Sequence, residues 1–140
     1  MALTAITGGD GRPPEPDWDA IFTDELDRLA AAEHWRAVVS DMHEAGTLAA
    51  VNAHTVKRLV LFYVEFDRSA RSVAEAGKVT KTKSGVPQLN LEWTGMKQAN
   101  EACTSLEAEL GISPRRRNAA GKAQKAKRGA SASERYLKRA

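Results

Sequence analysis

Residues 51–77 read VNAHTVKRLVLFYVEFDRSARSVAEAG, and the fold turns on them. Val56, Leu59, Tyr63, Phe66, Ala70 and Val73 recur at alternating steps of three and four, the spacing of one face of an α-helix. Between them Leu59, Val60, Leu61, Phe62, Tyr63 and Val64 are apolar all round. A helix without a polar face must be buried on more than one side. At about 1.5 Å per residue, roughly 25 helical residues span nearly 40 Å, longer than a small domain needs. The stretch is therefore expected to be a spine, packed by its own chain and by a neighbouring copy.

The flanks supply shorter elements. Upstream, residues 1–16 contain Gly8-Gly9, Gly11 and Pro13-Pro14, show no periodicity and are expected to be disordered. Asp17 is a candidate cap for a first helix with Trp18, Ile21, Phe22, Leu26 and Leu29 on one face. Asp19, Asp24, Glu25 and Asp27 cover its other face, with a break or bend near Thr23-Asp24. A second helical pattern runs from about Glu33 to Ala45 on Trp35, Val38, Val39 and Met42, with Gly46 as its stop. Asn52 then caps the spine. A helix, a connection and a longer helix invite a helix-turn-helix reading, although residues 47–52 are a longer link than that motif prefers.

Downstream, Gly77 closes the spine and KVTKTKSGVPQLNL reads as a short β-hairpin turning at Ser84-Gly85. Lys78, Lys81 and Lys83 give it a basic face, either to protect an edge from aggregation or to contact DNA. The last core helix spans about Glu92 to Leu110, with Trp93, Met96, Ala99, Cys103, Leu106 and Leu110 packing antiparallel along the spine. Ser113-Pro114 then looks like the start of a further short helix carrying Arg115, Arg116 and Arg117. The fold class that results is mainly α: a helical bundle around one long central helix, with a hairpin at about 78–90 before the last core helix. Residues 17–113 form the core and oligomerisation domain, and 114–140 a basic, largely disordered tail.

A chain of 140 residues with 42% hydrophobic and 28% charged residues fits one soluble domain with tails. It has no run of about 18 apolar residues and no N-terminal signal pattern, so neither membrane nor secretion is expected. Cys103 is the single cysteine, which excludes an internal disulfide, and its place on a core face reads as packing. His34, His43 and His54 show no i,i+4 pairing, so no metal site is expected. Gly8-Gly9-Asp10-Gly11 lacks the strand and Lys-Ser/Thr of a phosphate loop, and neither an H-E-x-x-H motif nor a Ser-His-Asp set appears. No catalytic residue and no cofactor is expected.

Charge carries the main signal. Residues 1–113 hold 11 Lys and Arg against 17 Asp and Glu, a net −6; residues 114–140 hold 10 against Glu134 alone, a net +9, which together give the +3 of the chain. Arg115, Arg116, Arg117, Lys122, Lys125, Lys127 and Arg128, followed by Arg135, Lys138 and Arg139, form a segment suited to salt-dependent, sequence-independent phosphate binding. Tyr136 is the only aromatic after Trp93, so stacking on single strands is poorly supported. Charge favours nucleic acid over an acidic protein partner or a merely solubilising tail.

The order of these features resembles the small subunit of tailed-phage terminases, of the siphophage family associated with HNH endonucleases. The resemblance covers about residues 18–117. It rests on W35-RAVVSDMHEAGTL-48, on ARSVAEAGKVTKTKSG at 70–85 with its G-x-x-x-K-T-K-x-G hairpin, and on MKQANEACTSLEAELGISPRRR at 96–117. Where the family usually has an Asn-Pro opening the last helix after the hairpin, this chain has Gln88-Leu89-Asn90-Leu91-Glu92-Trp93, which leaves the hairpin's exact exit open. The resemblance implies a non-enzymatic subunit in the host cytoplasm that recognises double-stranded viral DNA for packaging. It also implies regulation of the terminase large subunit, which holds the ATPase and nuclease, and a homo-oligomeric ring of about nine copies. On that reading Leu61, Phe62 and Val64 of the spine face a neighbouring copy, while Lys78, Lys81, Lys83 and the tail cations contact DNA. A dimeric helix-turn-helix regulator built on residues 33–76 is the alternative, and a protein adaptor whose tail grips an acidic partner is a third reading.

Overall fold

The structure is a computed structural model and describes residues 11–113. Along them run α1 (Trp18–Ile21), α2 (Glu25–Glu44), a 3-10 turn (Ala50–Asn52), α3 (Ala53–Ala76), β1 (Val79–Lys81), β2 (Pro87–Leu89) and α4 (Leu91–Leu110). The architecture is mainly helical, with the hairpin ahead of the last helix as expected.

The N-terminal half departs from the sequence reading. The break falls at Thr23-Asp24, but the helix that follows is a single element through Glu44. Asp24 caps it through a 2.8 Å bond to the Leu26 N–H, and Ala30-Ala31-Ala32 are strong helix formers with no glycine or proline to stop them. Continuity sets the register. The stripe Asp27, Ala31, Trp35, Val38 and Met42 faces the core, so Leu26 and Leu29, expected on an apolar face, stand outside at 59% and 62% exposure. Asp27, expected on the solvated acidic face, is only 4% exposed. Residues 11–16, expected to be disordered, form no helix or strand, but Glu15 accepts from Trp18 Nε1 at 3.1 Å and from Arg36 Nε at 3.4 Å.

The spine is α3, slightly shorter than the periodicity implied because a 3-10 turn occupies its first residues. Asn52 stands at its N-cap without a side-chain capping bond. α2 runs antiparallel to it, since Asp27 meets Arg68 and Arg71 while His34, further along α2, meets Asp67. α4 runs antiparallel on the other flank: Ser69 Oγ donates to Glu92 at 3.2 Å, and Tyr63 Oη donates to Glu107 at 2.9 Å. Trp18, Trp35, Val38, Met42, Val56, Leu59, Val60, Val64, Cys103, Leu106 and Leu110 form one core among α1, α2, α3 and α4.

Two joints hold the α3–hairpin–α4 unit. Gly77 ends α3 at φ 84°, a left-handed conformation that only glycine adopts without strain. Its carbonyl accepts from the Asn90 side-chain amide at 2.9 Å. The Asn90 N–H donates to the Lys78 carbonyl at 2.9 Å, and its Oδ1 caps α4 by accepting from the Glu92 N–H at 3.0 Å. One buried asparagine thus ties the end of α3, the hairpin's entry and the start of α4. At the far end of α4, Ile112 N–H bonds Glu107 and Gly111 N–H bonds Ala108, the paired bonds of a Schellman stop.

Candidate nucleic-acid interface

The hairpin is built from local chemistry. Val79 pairs with Leu89, Thr80 with Gln88 and Lys81 with Pro87. Proline has no N–H to give the ladder, and with only two strands it sits on an edge, where that is tolerated. The turn closes through Thr82: its N–H donates to the Val86 carbonyl at 2.9 Å, and its hydroxyl accepts from the Val86 N–H at 3.1 Å. Lys81 and Lys83 are exposed on this structure. Lys78 lies with its Nζ 4.7 Å from the Trp93 ring centroid, so a cation–π contact steers it towards the start of α4. Trp93, expected on the core face, is only half-buried.

Charge is distributed by element. Residues 53–90, which include α3 and the hairpin, carry seven Lys and Arg against three acids. α2 carries two against five and α4 one against four. α3 by itself carries four against three, so the acidic body inferred from the whole-chain count is two acidic helices flanking a nearly neutral one, with three lysines and no acid in residues 77–90. Within the basic segment Arg68 and Arg71 are engaged by Asp27, at 2.5 Å and 3.5 Å. That hydrogen bond pushes the Arg68 guanidinium above its ordinary value. Lys57 and Arg58, near the start of α3, make no ion pair with any described residue. Sequence reading passed over these two. A count by element, rather than by halves of the chain, would have marked them.

The hairpin and the end of α4 lie at opposite ends of the fold. Because α3 and α4 are antiparallel, the hairpin lies at one end, and the chain leaves α4 at the other, beside the start of α3. Arg115, Arg116, Arg117, Lys122, Lys125, Lys127 and Arg128 lie outside the described residues, as does the short helix expected after Ser113.

Other polar groups serve packing. His34 Nε2 lies 2.7 Å from Asp67, its ring stacks at 4.9 Å on Tyr63, and Tyr63 donates to Glu107, a strap across α2, α3 and α4. Cys103 is buried beside it, as expected. Burial pushes its thiol up to about 11, with the charges of Glu107 and Asp67 adding to the effect. Among the described residues no three of His, Cys, Asp and Glu converge as metal ligands, and no helix is long and apolar enough to cross a membrane.

For the seam residues, Phe62 is 39% exposed, Leu61 is half-buried, and Val64 is 1% exposed. Val64 spends its surface on the chain's own core, so the expectation that it faces a neighbour finds no free side chain there.

Fold and charge together define a small helical protein with a lysine-bearing hairpin beside a nearly neutral spine and two acidic helices. The family is specific: residues 31–127 match the model of the family described as phage terminase, small subunit, and the chain belongs to it. Its class has a role in phage DNA packaging. The matched span runs from within α2 through α4 and into the basic segment. No curated protein and no solved structure matches the chain. Asn90 caps α4, and Leu91, the first residue of that helix, is exposed.

Proposed function

We propose that this terminase small subunit recognises double-stranded viral DNA as a homo-oligomeric ring and regulates the large ATPase/nuclease subunit. Family membership over residues 31–127 carries the reading. It is supported by the unpaired cations of α3 and the hairpin, and by the +9 charge of residues 114–140. In this reading the tail supplies general phosphate affinity and Lys78, Lys81 and Lys83 add contacts at the hairpin. A ring of about nine copies multiplies such weak contacts through effective concentration. Phe62 and Leu61 contribute to the seam between copies. The subunit is not itself catalytic, and it works in the host cytoplasm with a phage of the HNH-associated siphophage type.

The helix-turn-helix alternative is disfavoured by geometry. Residues 45–52 separate α2 from α3, whereas that motif joins its helices across a three- or four-residue turn.

The test compares the full chain with residues 1–113 in a salt titration of duplex binding. Removing 114–140 should weaken binding and flatten the salt dependence by about 0.9 for each phosphate the tail neutralises. An unchanged slope removes the tail from the interface. A chain that stays monomeric at micromolar concentration in light scattering defeats the ring.

A further inference from the structure

We propose that Lys57 and Arg58 form a second phosphate-binding point, which acts with the hairpin lysines on one duplex about a helical turn away. This rests on the DNA-packaging reading above and extends it to a site on α3. The first observation is the pairing pattern. Arg28, Arg36, Arg68 and Arg71 each hold a carboxylate of their own chain. Lys57, Arg58, Lys81 and Lys83 hold none among the described residues. A cation without an internal partner keeps its field for an external polyanion.

The second observation is spacing. Lys57 and Arg58 lie one turn into α3, and Lys78 follows just past its end. Along a helix at about 1.5 Å per residue, residues 57 and 76 are roughly 30 Å apart. One turn of B-DNA advances about 34 Å. A single duplex reaching from Lys57 and Arg58 to the hairpin's entry at Lys78 therefore spans about one turn. The third observation is orientation. α2 and α4 each carry a net −3, so DNA is repelled from both flanks, and α3, with four cations against three acids, attracts it at Lys57 and Arg58 rather than along its length.

Lysine footprinting tests this on the full, unmodified chain. The protein is acetylated with and without a packaging-site duplex of about three turns, and each lysine's rate is read by mass spectrometry. DNA should slow Lys57, Lys81 and Lys83 several-fold and leave Lys97, on α4, unchanged. The double variant K57A/R58A should then bind more weakly, with a salt slope reduced by about 2, while K97A binds like the parent. Protection of Lys81 and Lys83 without Lys57 overturns the second point and leaves the DNA-packaging reading standing. A Lys57 that is equally shielded before DNA is added overturns the second point in the same way. Equal protection of Lys97 also overturns it, because DNA would then coat the body without regard to α3. Absence of both protection and binding at low salt overturns the packaging reading itself.

Discussion

Asp27 is buried, while its partners Arg68 and Arg71 are each about half exposed. The two sides of this ion pair should therefore respond differently to mutation. Asp27→Asn keeps the shape and releases two arginines that water can solvate, so it should cost only about 1–2 kcal/mol. Arg68→Ala leaves a buried carboxylate with Arg71 alone at 3.5 Å and should cost about 3 kcal/mol. Urea denaturation of both variants checks the order; the reverse order would mean that Asp27 is hydrated. Cys103 gives a pH signature. Its folded thiol titrates near 11 against an ordinary 9.0, because the thiolate is disfavoured in the core. That contribution is fully present below pH 9 and lost as pH rises through about 11. The parent should lose stability relative to Cys103→Ala across that window, and parallel curves would place the thiol in water. Nothing in the residue types announced the Asp27 pair, since an aspartate in the first turn of a helix is ordinarily explained by the helix dipole.

Among the elements, α3 and α4 pack against each other where Gly95 faces Ser69. A Cβ at Gly95 would lie 3.5 Å from the Ser69 hydroxyl oxygen, an ordinary contact. Glycine inside a helix costs up to about 1 kcal/mol relative to alanine. Gly95→Ala should therefore stabilise the protein by several tenths of a kcal/mol, measured as a raised midpoint in denaturant; a lowered midpoint would mean that the helices need the gap. Elements with strong local signals were legible before the structure. The hairpin followed from its lysine–threonine alternation and Ser84-Gly85, and α4 from its three-and-four spacing and Gly111. The N-terminal helices were less so. Trp18, Ile21, Leu26 and Leu29 fit a helical face by spacing, but Asp24 caps a new helix there and rotates the register. Spacing cannot reveal which of two overlapping apolar stripes meets the core.

For the whole molecule, the question is which spine residues belong to the fold and which to assembly. Val64 is enclosed by the chain itself, whereas Phe62 keeps over a third of its surface exposed. A glutamate at position 64 buries a charge and should unfold the protein, at a cost of several kcal/mol. Phe62→Glu should keep the helical circular dichroism while lowering the mass seen by light scattering. Equal loss of helix in both variants would return Phe62 to the intrachain core.

By itself the sequence determined the helical class, the central position of residues 51–77, the hairpin and the basic C-terminal segment. It did so because helical periodicity, glycine stops and charge runs act over a few neighbouring residues. The tertiary structure alone decided that Asp27 is buried and Leu26 exposed, and that Val64 is enclosed while Phe62 is not. It also decided that the hairpin and the end of α4 stand at opposite ends of α3. Those outcomes depend on how antiparallel helices are rotated and aligned against one another, which is set by contacts between residues far apart in the chain.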